Sequence, residues 1–366
     1  MKILILLRAL SVGGAERRAC LIARGLRQSG HSVTLAVFYG GGTLEPLCAE
    51  AGVRLIDLQK RGRSDIAGFL LRYLRMMRQE RPEVVYSFLL GPNLLAALTG
   101  FCFRRTRLVW ALCASRMEWS RYEGLRRWLD RLERLLSRIP GAIISNSHAG
   151  RNDAVAAGYP ADRLRVVHNG FDTDYFRPDP VGRRHLRADW GMDASTPLFG
   201  LVGRFDPMKG HAVFLEAAAL CLNELPAARF ILIGTGASRV ETGPGRPIIQ
   251  LDHHPDMPAV YNALDVLVSA SVFGEGLSNA VGEAMASGTP CVVTDVGDSA
   301  LLVGDYGQVV APSDPAALAA AMLSLWRQVD AGTIDRAGLR ARIVRHFGLA
   351  AMIAGTEAVL RSTGET

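Results

Sequence analysis

The feature that most constrains this chain is a recurring alternation of short apolar runs with helical periods. One series of runs falls at Lys2–Leu7, His31–Phe38, Val53–Leu58, Glu83–Phe88, Arg107–Leu112 and Ala142–Ser145. A second falls at Leu198–Val202, Arg229–Ile233, Ile248–Gln250, Val266–Ser269, Pro290–Thr294 and Gln308–Val310. Strands that are apolar throughout are buried on both faces, and helical crossovers supply that cover in parallel sheets. Two such series predict an α/β protein of two doubly wound domains. The expected division is a first domain over 1–176, a hinge over 177–197 and a second domain over 198–346. The hinge is read from the Pro, Gly, Asp and Arg of Arg177–Pro197. A last helix of about 347–366 is free to pack back on the first domain. A length of 366 residues suits two domains, and 49% hydrophobic against 21% charged residues excludes global disorder.

Several classes fall away. The cysteines (Cys20, Cys48, Cys102, Cys113, Cys221 and Cys291) include no C-x-x-C pair. That excludes a disulfide framework or structural zinc and suits a reducing cytoplasm. Met1–Leu10 is interrupted by Arg8 and reads as a first strand, not a signal peptide. The longest apolar stretch, Leu89–Phe103, contains Gly91, Pro92 and Asn93, too short and broken to span a membrane. Residues 1–187 carry 31 Lys and Arg against 16 Asp and Glu, a net +15, whereas 188–366 carry 11 against 19, a net −8. A basic half joined to an acidic half implies different partners, with nucleic acid and anionic membrane as candidates for the first.

Ligands of doubly wound sheets bind beyond the carboxyl ends of the strands, so the strand-to-helix turns come first. Gly13 and Gly14 follow the first strand and allow backbone to approach an anion at a helix start, although they also suit a plain tight turn. The fingerprint G-x-G-x-x-G is absent there and at Gly234–Gly236, which weakens a nicotinamide-dinucleotide reading. After Leu198–Val202 comes Gly203-Arg204-Phe205-Asp206-Pro207-Met208-Lys209-Gly210, where Arg204 and Lys209 bracket a turn and can converge on a diphosphate. The chain has 39 Arg and only Lys2, Lys60 and Lys209, so a lysine here breaks its own habit. In Phe273–Glu283, Ser278 is a plausible N-cap, Glu275 sits in the loop and Glu283 on the following helix among small residues. Asp172 and Asp174 form an Asp-x-Asp pair, read here as a turn and not a metal site. His253 and His254 read as loop residues near a ligand. No metal is expected.

Taken together, GGAER at Gly13–Arg17, SNSHAG at Ser145–Gly150, NGFDTDYFRP at Asn169–Pro178, VGRFDPMKG at Val202–Gly210 and FGEGLSNAVGEAMASGTPCVVTDVG at Phe273–Gly297 resemble the family-4 retaining glycosyltransferases. The resemblance runs in order from Met1 to about Gly297. It implies the GT-B fold, two Rossmann-like domains facing across a cleft; no cofactor is expected. A nucleotide-diphosphate sugar, most simply a UDP-sugar, is then held mainly by the second domain and the acceptor by the first. The resemblance makes Arg204, Lys209 and Glu275 catalytic. It assigns Gly13, Gly14, Gly203, His253, Gly276, Leu277, Ser278, Asn279 and Glu283 to the donor, with Glu283 on the ribose. Many relatives carry a histidine after the fifth strand; this chain has Trp110–Glu118 without one, and Ser115, Arg116 or Glu118 are the acceptor-side candidates.

Taken as a helix, Arg126–Ile139 places Arg126, Arg127, Arg131, Arg134 and Arg138 on one side. Trp128, Leu129, Leu132, Leu135, Leu136 and Ile139 fall on the other, and a core-facing helix accounts for that stripe. The arginines point to docking on anionic lipid, and no nucleic-acid motif competes. The expected protein is a cytoplasmic glycosyltransferase on the inner face of the membrane, acting on a glycan or polyprenyl-linked acceptor in polysaccharide biosynthesis. A nucleotide-sugar epimerase on the same fold and a non-catalytic nucleotide-sugar-binding protein are the alternatives.

Overall fold

The computed structural model describes residues 1–11, 13–62, 64–112, 124–243 and 245–363. The chain divides into two units, Met1–Gly170 with Leu349–Thr366, and Phe171–Gly348.

The first unit is built on β1 (Lys2–Leu7), β2 (Ser32–Val37), β3 (Arg54–Asp57), β4 (Val84–Phe88), β5 (Arg107–Leu112), β6 (Ala142–Ser145) and β7 (Leu164–Val166). They form one parallel sheet in the order β3-β2-β1-β4-β5-β6-β7. Ile3, Ile5 and Leu7 join one core with the helices Gly14–Gln28 and Leu349–Ser362, through Ile22, Leu26, Met352 and Leu360. Leu4 and Leu6 join the other with Phe69, Tyr73 and Met77 of helix Ala67–Glu80. Both faces of β1 are therefore covered, which is why the run is apolar without alternation.

The second unit repeats the scheme with β8 (Leu198–Val202), β9 (Arg229–Ile233), β10 (Ile248–Leu251), β11 (Val266–Ser269), β12 (Cys291–Thr294) and β13 (Gln308–Val310). Its order is β10-β9-β8-β11-β12-β13, again all parallel. Phe199 and Leu201 pack with helices His211–Glu224 and Pro315–Asp330. Leu198 packs on the other face with Tyr261, Met285, Leu339 and Ile343. Two Rossmann-like α/β halves are thus present.

The stretch expected as a hinge is structured instead. Helix Pro180–Asp189 lies inside it, and Asp179 Oδ1 caps it by accepting from Val181 N and Gly182 N at 3.0 and 2.9 Å. Arg183 and Arg187 of this helix share Asp265, at 2.5 and 3.4 Å. Its polar composition reflects a buried ion-pair cluster. The division falls at Gly170/Phe171 because Phe171 and Phe176 belong to the second core. The Phe171 ring lies where a Gly282 Cβ would meet it at 2.0 Å. The second crossing is at Gly348/Leu349, and helix Leu349–Ser362 packs on Gly14–Gln28, where a Cβ at Gly25 would stand 2.0 Å from Ile353. Among the described residues no helix is long and apolar enough to cross a membrane.

Candidate active site

In the second unit the strand order reverses between β8 and β11, so the loops leaving these two strands bound a crevice at their carboxyl ends. The loops are fastened to each other. Val272 N donates to Met208 O at 2.8 Å, and Gly210, at φ +65°, passes so close that a Cβ would stand 1.9 Å from Ala270 O. Only glycine satisfies both the left-handed backbone and that approach. The result is a direct contact between the two chemically loaded segments: Lys209 Nζ lies 2.6 Å from Glu275 Oε2. Ser271 Oγ donates to the same oxygen at 2.8 Å.

Local sequence explains how Lys209 is presented. Asp206 caps the single turn Pro207–Lys209 by accepting from Met208 N at 3.0 Å. The lysine stem runs over Gly203, where a Cβ would be in ordinary contact with it, 3.4 Å from Lys209 Cδ. Burial acts to raise the Asp206 carboxyl, but bonds from Met208 N and Arg204 outweigh it and hold the group below its usual range. Behind the turn, His211 is buried edge-on to Phe205. Burial, and then the Lys209 charge, pull its imidazole below the usual value, so it adds no further positive charge beside Lys209. No sequence motif marked His211.

The other residues expected to hold a donor are spread over these loops, the helix that follows and the end of β10. Arg204 is exposed, with Nε on Asp206 Oδ2 at 3.1 Å and Nη2 on Met208 Sδ at 3.5 Å. The structure does not bring it to Glu275. Gly276 O accepts from Asp298 N at 2.8 Å, and Gly297, at φ +66°, admits the Glu275 and Gly276 carbonyls where a Cβ would meet them at 2.3 and 2.5 Å. Leu277 and Ser278 are buried. Ser278 occupies the N-cap position of helix Asn279–Ala286 without a side-chain cap bond, so the first amides of that helix are not spent on it. Asn279, the first helical residue, is exposed. On the second turn, Glu283 accepts from Tyr261 OH at 2.7 Å. His253 lies exposed beyond β10, an edge strand; no hydrogen bond among the described residues joins it to Lys209 or Glu275. Asp172 Oδ1 accepts from Tyr175 N at 3.1 Å, as a turn residue would.

In the first unit the order reverses between β1 and β4. Gly13 is the N-cap of helix Gly14–Gln28, and a Cβ on it would stand 2.2 Å from Glu16 Oε2. On the β4 side Leu89 is held at φ +68°, a strained backbone for a branched residue. Beneath it runs a buried polar chain that sequence reasoning missed. Ser87 Oγ donates to Asn93 Oδ1 at 2.7 Å, Asn93 Nδ2 to Glu133 Oε1 at 2.8 Å, and Tyr159 OH to Glu133 Oε2 at 3.1 Å. Burial raises the Glu133 carboxyl, and the Asn93 and Tyr159 bonds oppose it.

That chain anchors helix Gly124–Leu136 to the sheet. The apolar stripe does not lie wholly against the core: Trp128, Leu135 and Ile139 are 58%, 72% and 46% exposed. Glu133 takes the inward position instead. Arg131, Arg134 and Arg138 are exposed, though Arg134 Nη1 also donates to Ala157 O at 3.1 Å. Ser115, Arg116 and Glu118 lie outside the described residues, as do the side chains of Arg126 and Arg127.

Comparison with known proteins agrees with this arrangement. Residues 12–175 match Glycosyltransferase Family 4, and residues 196–328 match Glycosyl transferases group 1. The chain belongs to the family-4-type glycosyltransferases of GT-B fold. HepE of Anabaena, solved with UDP-glucose, superposes with a TM-score of 0.84 at 21% identity over 99% of this chain and 100% of that one. Sucrose-phosphate synthase of Thermosynechococcus elongatus gives 0.77 at 18% identity over 98% of each. D-inositol 3-phosphate glycosyltransferase of Mycobacterium tuberculosis is 29% identical over 177 residues. That match takes in 44% of this chain and 35% of the relative, so the chain spans about a third of the relative's length.

Proposed function

We propose that the protein is a retaining glycosyltransferase that moves a sugar from a UDP-sugar to a glycan or polyprenyl-linked acceptor in polysaccharide assembly. The observation that carries the proposal is the Lys209–Glu275 contact at the β8/β11 crossover, with Arg204 on the same loop. Two cations there would neutralise a diphosphate and stabilise it as a leaving group, where negative charge develops. Glu275 orients Lys209 and borders the place of the transferred sugar, while Glu283 accepts hydrogen bonds from ribose hydroxyls. Retention follows when the acceptor hydroxyl attacks from the face the diphosphate leaves, the departing phosphate oxygen taking its proton. The UDP-glucose complex of the Anabaena neighbour supports the choice of base. Incubation with a panel of nucleotide sugars should show release of UDP, in preference to GDP or ADP. EDTA should leave the rate unchanged, because every charge assigned to the diphosphate is a side chain. Turnover that requires a divalent cation would contradict this.

The basic helix supports docking on anionic lipid. Trp128 and Leu135 are exposed beside Arg131, Arg134 and Arg138. Apolar insertion plus roughly 1 kcal/mol per basic residue is how an interfacial helix holds a bilayer. Co-sedimentation with acidic vesicles should exceed that with neutral ones and fall with salt, since exposed charge is screened within about 10 Å at 0.1 M. Trp128→Ser with Arg131→Gln should reduce it. Equal binding to both vesicle types would make the face an ordinary solvated one.

A further inference from the structure

The second unit contains a cavity of about 440 Å3 that no part of the donor reading uses. It lies at the amino-terminal ends of the strands, where Asp265 precedes β11 and Thr289 precedes β12, whereas Lys209 and Glu275 follow strand carboxyl ends. Its volume is in the range of small-molecule sites.

The charges on its wall define what it can take. Asp179, Asp265 and Asp330 face Arg183 and Arg336, so the lining has no cationic excess to hold a phosphate. Arg183 is already committed, to Asp265 and to the carbonyls of Asn262, Ala263 and Leu264. Asp179 spends Oδ1 on its helix cap. Two charged groups remain available. Arg336 donates through Nη1 to Gly288 O at 2.7 Å and has no ion-pair partner among the described residues. Asp330 has none either, although both line one cavity. Trp326 adds an indole to the same wall.

A guanidinium and a carboxylate that lack ion-pair partners among the described residues, together with an indole, match one ligand class well. A sugar hydroxyl donates to a carboxylate and accepts from a guanidinium through the same oxygen, and the C–H face of a pyranose suits an aromatic surface. We infer that this cavity is a saccharide site, separate from the Lys209–Glu275 loops, taking one or two neutral hexose units. It would hold part of a glycan away from the reacting bond.

Saturation-transfer NMR on the full chain, without nucleotide, tests this with glucose, galactose, mannose, N-acetylglucosamine and maltose. At least one should receive saturation. Asp330→Asn and Arg336→Gln, both at exposed positions, should each weaken it about tenfold or more, the usual effect of losing a charged hydrogen bond. Lys209→Ala should leave it unchanged, which separates this site from the donor reading. Trp326→Ala should also abolish the sugar's saturation signal, and the two polar variants carry the test if that protein fails to fold. The inference is overturned if no sugar binds, or if binding is kept in the Asp330 and Arg336 variants, whatever Lys209→Ala does. Inorganic phosphate bound through Arg336 and not displaced by sugars would overturn it too.

Discussion

Lys209→Ala is expected to lower turnover with a UDP-sugar by a factor of about 10²–10³, the usual cost of removing one preorganised charge from a developing anion. The size of the effect follows from how the lysine is held. Its stem lies over Gly203, its turn is capped by Asp206, and its ammonium is fixed on Glu275. A cation already in place spends no binding energy on reorganisation when the leaving group forms. Lys209→Met is the companion variant, since it keeps the stem and removes only the charge. The fold should survive both, because Ser271 still donates to Glu275 and the Val272–Met208 bond involves backbone alone. Steady-state rates beside thermal unfolding curves give the answer. Parental turnover by either variant would remove the site from this crevice.

The second large effect is expected from Glu275→Gln, and its character should differ from that of Glu283→Ala. Glu275 holds Lys209 and, in the proposed reaction, would border the reacting sugar, so its loss should fall on kcat by about 10² or more. Glu283, held by Tyr261 on the helix behind, would contact ribose equally in ground and transition states. Uniform binding of that kind appears in KM with little change in kcat. Glu283→Ala should therefore raise KM for the donor about tenfold, the value of one charge-assisted hydrogen bond. Identical kinetic signatures from the two variants would contradict the division of roles.

Much of this is legible in the sequence. Fully apolar strands such as Ile3–Leu7 declared burial on both faces, and glycine-rich turns marked the crossover loops. What escaped was tertiary. Nothing in the local sequence says that Glu275 would meet Lys209, because the contact depends on Gly210 lying against Ala270 across two loops. The polar stretch 177–197 reads as a linker because Asp265, which pairs with both Arg183 and Arg187, lies far from them in sequence and meets them only in the fold. Helical periodicity likewise placed Leu135 on a buried side, whereas Glu133 faces inward to meet Asn93 and Tyr159. A hydrophobic stripe cannot register a buried carboxylate whose partners lie on other elements.

The central claim is that the β8/β11 loops bind a nucleotide diphosphate through fixed positive charge, and calorimetric titration with UDP tests it without needing the acceptor. The parent protein should bind UDP with an affinity that falls as salt rises, and bind uridine far more weakly. Arg204→Ala and Lys209→Ala should each weaken UDP by about tenfold or more and leave uridine unchanged. Binding of UDP that is equally tight in both variants, or no binding at all, would contradict the account.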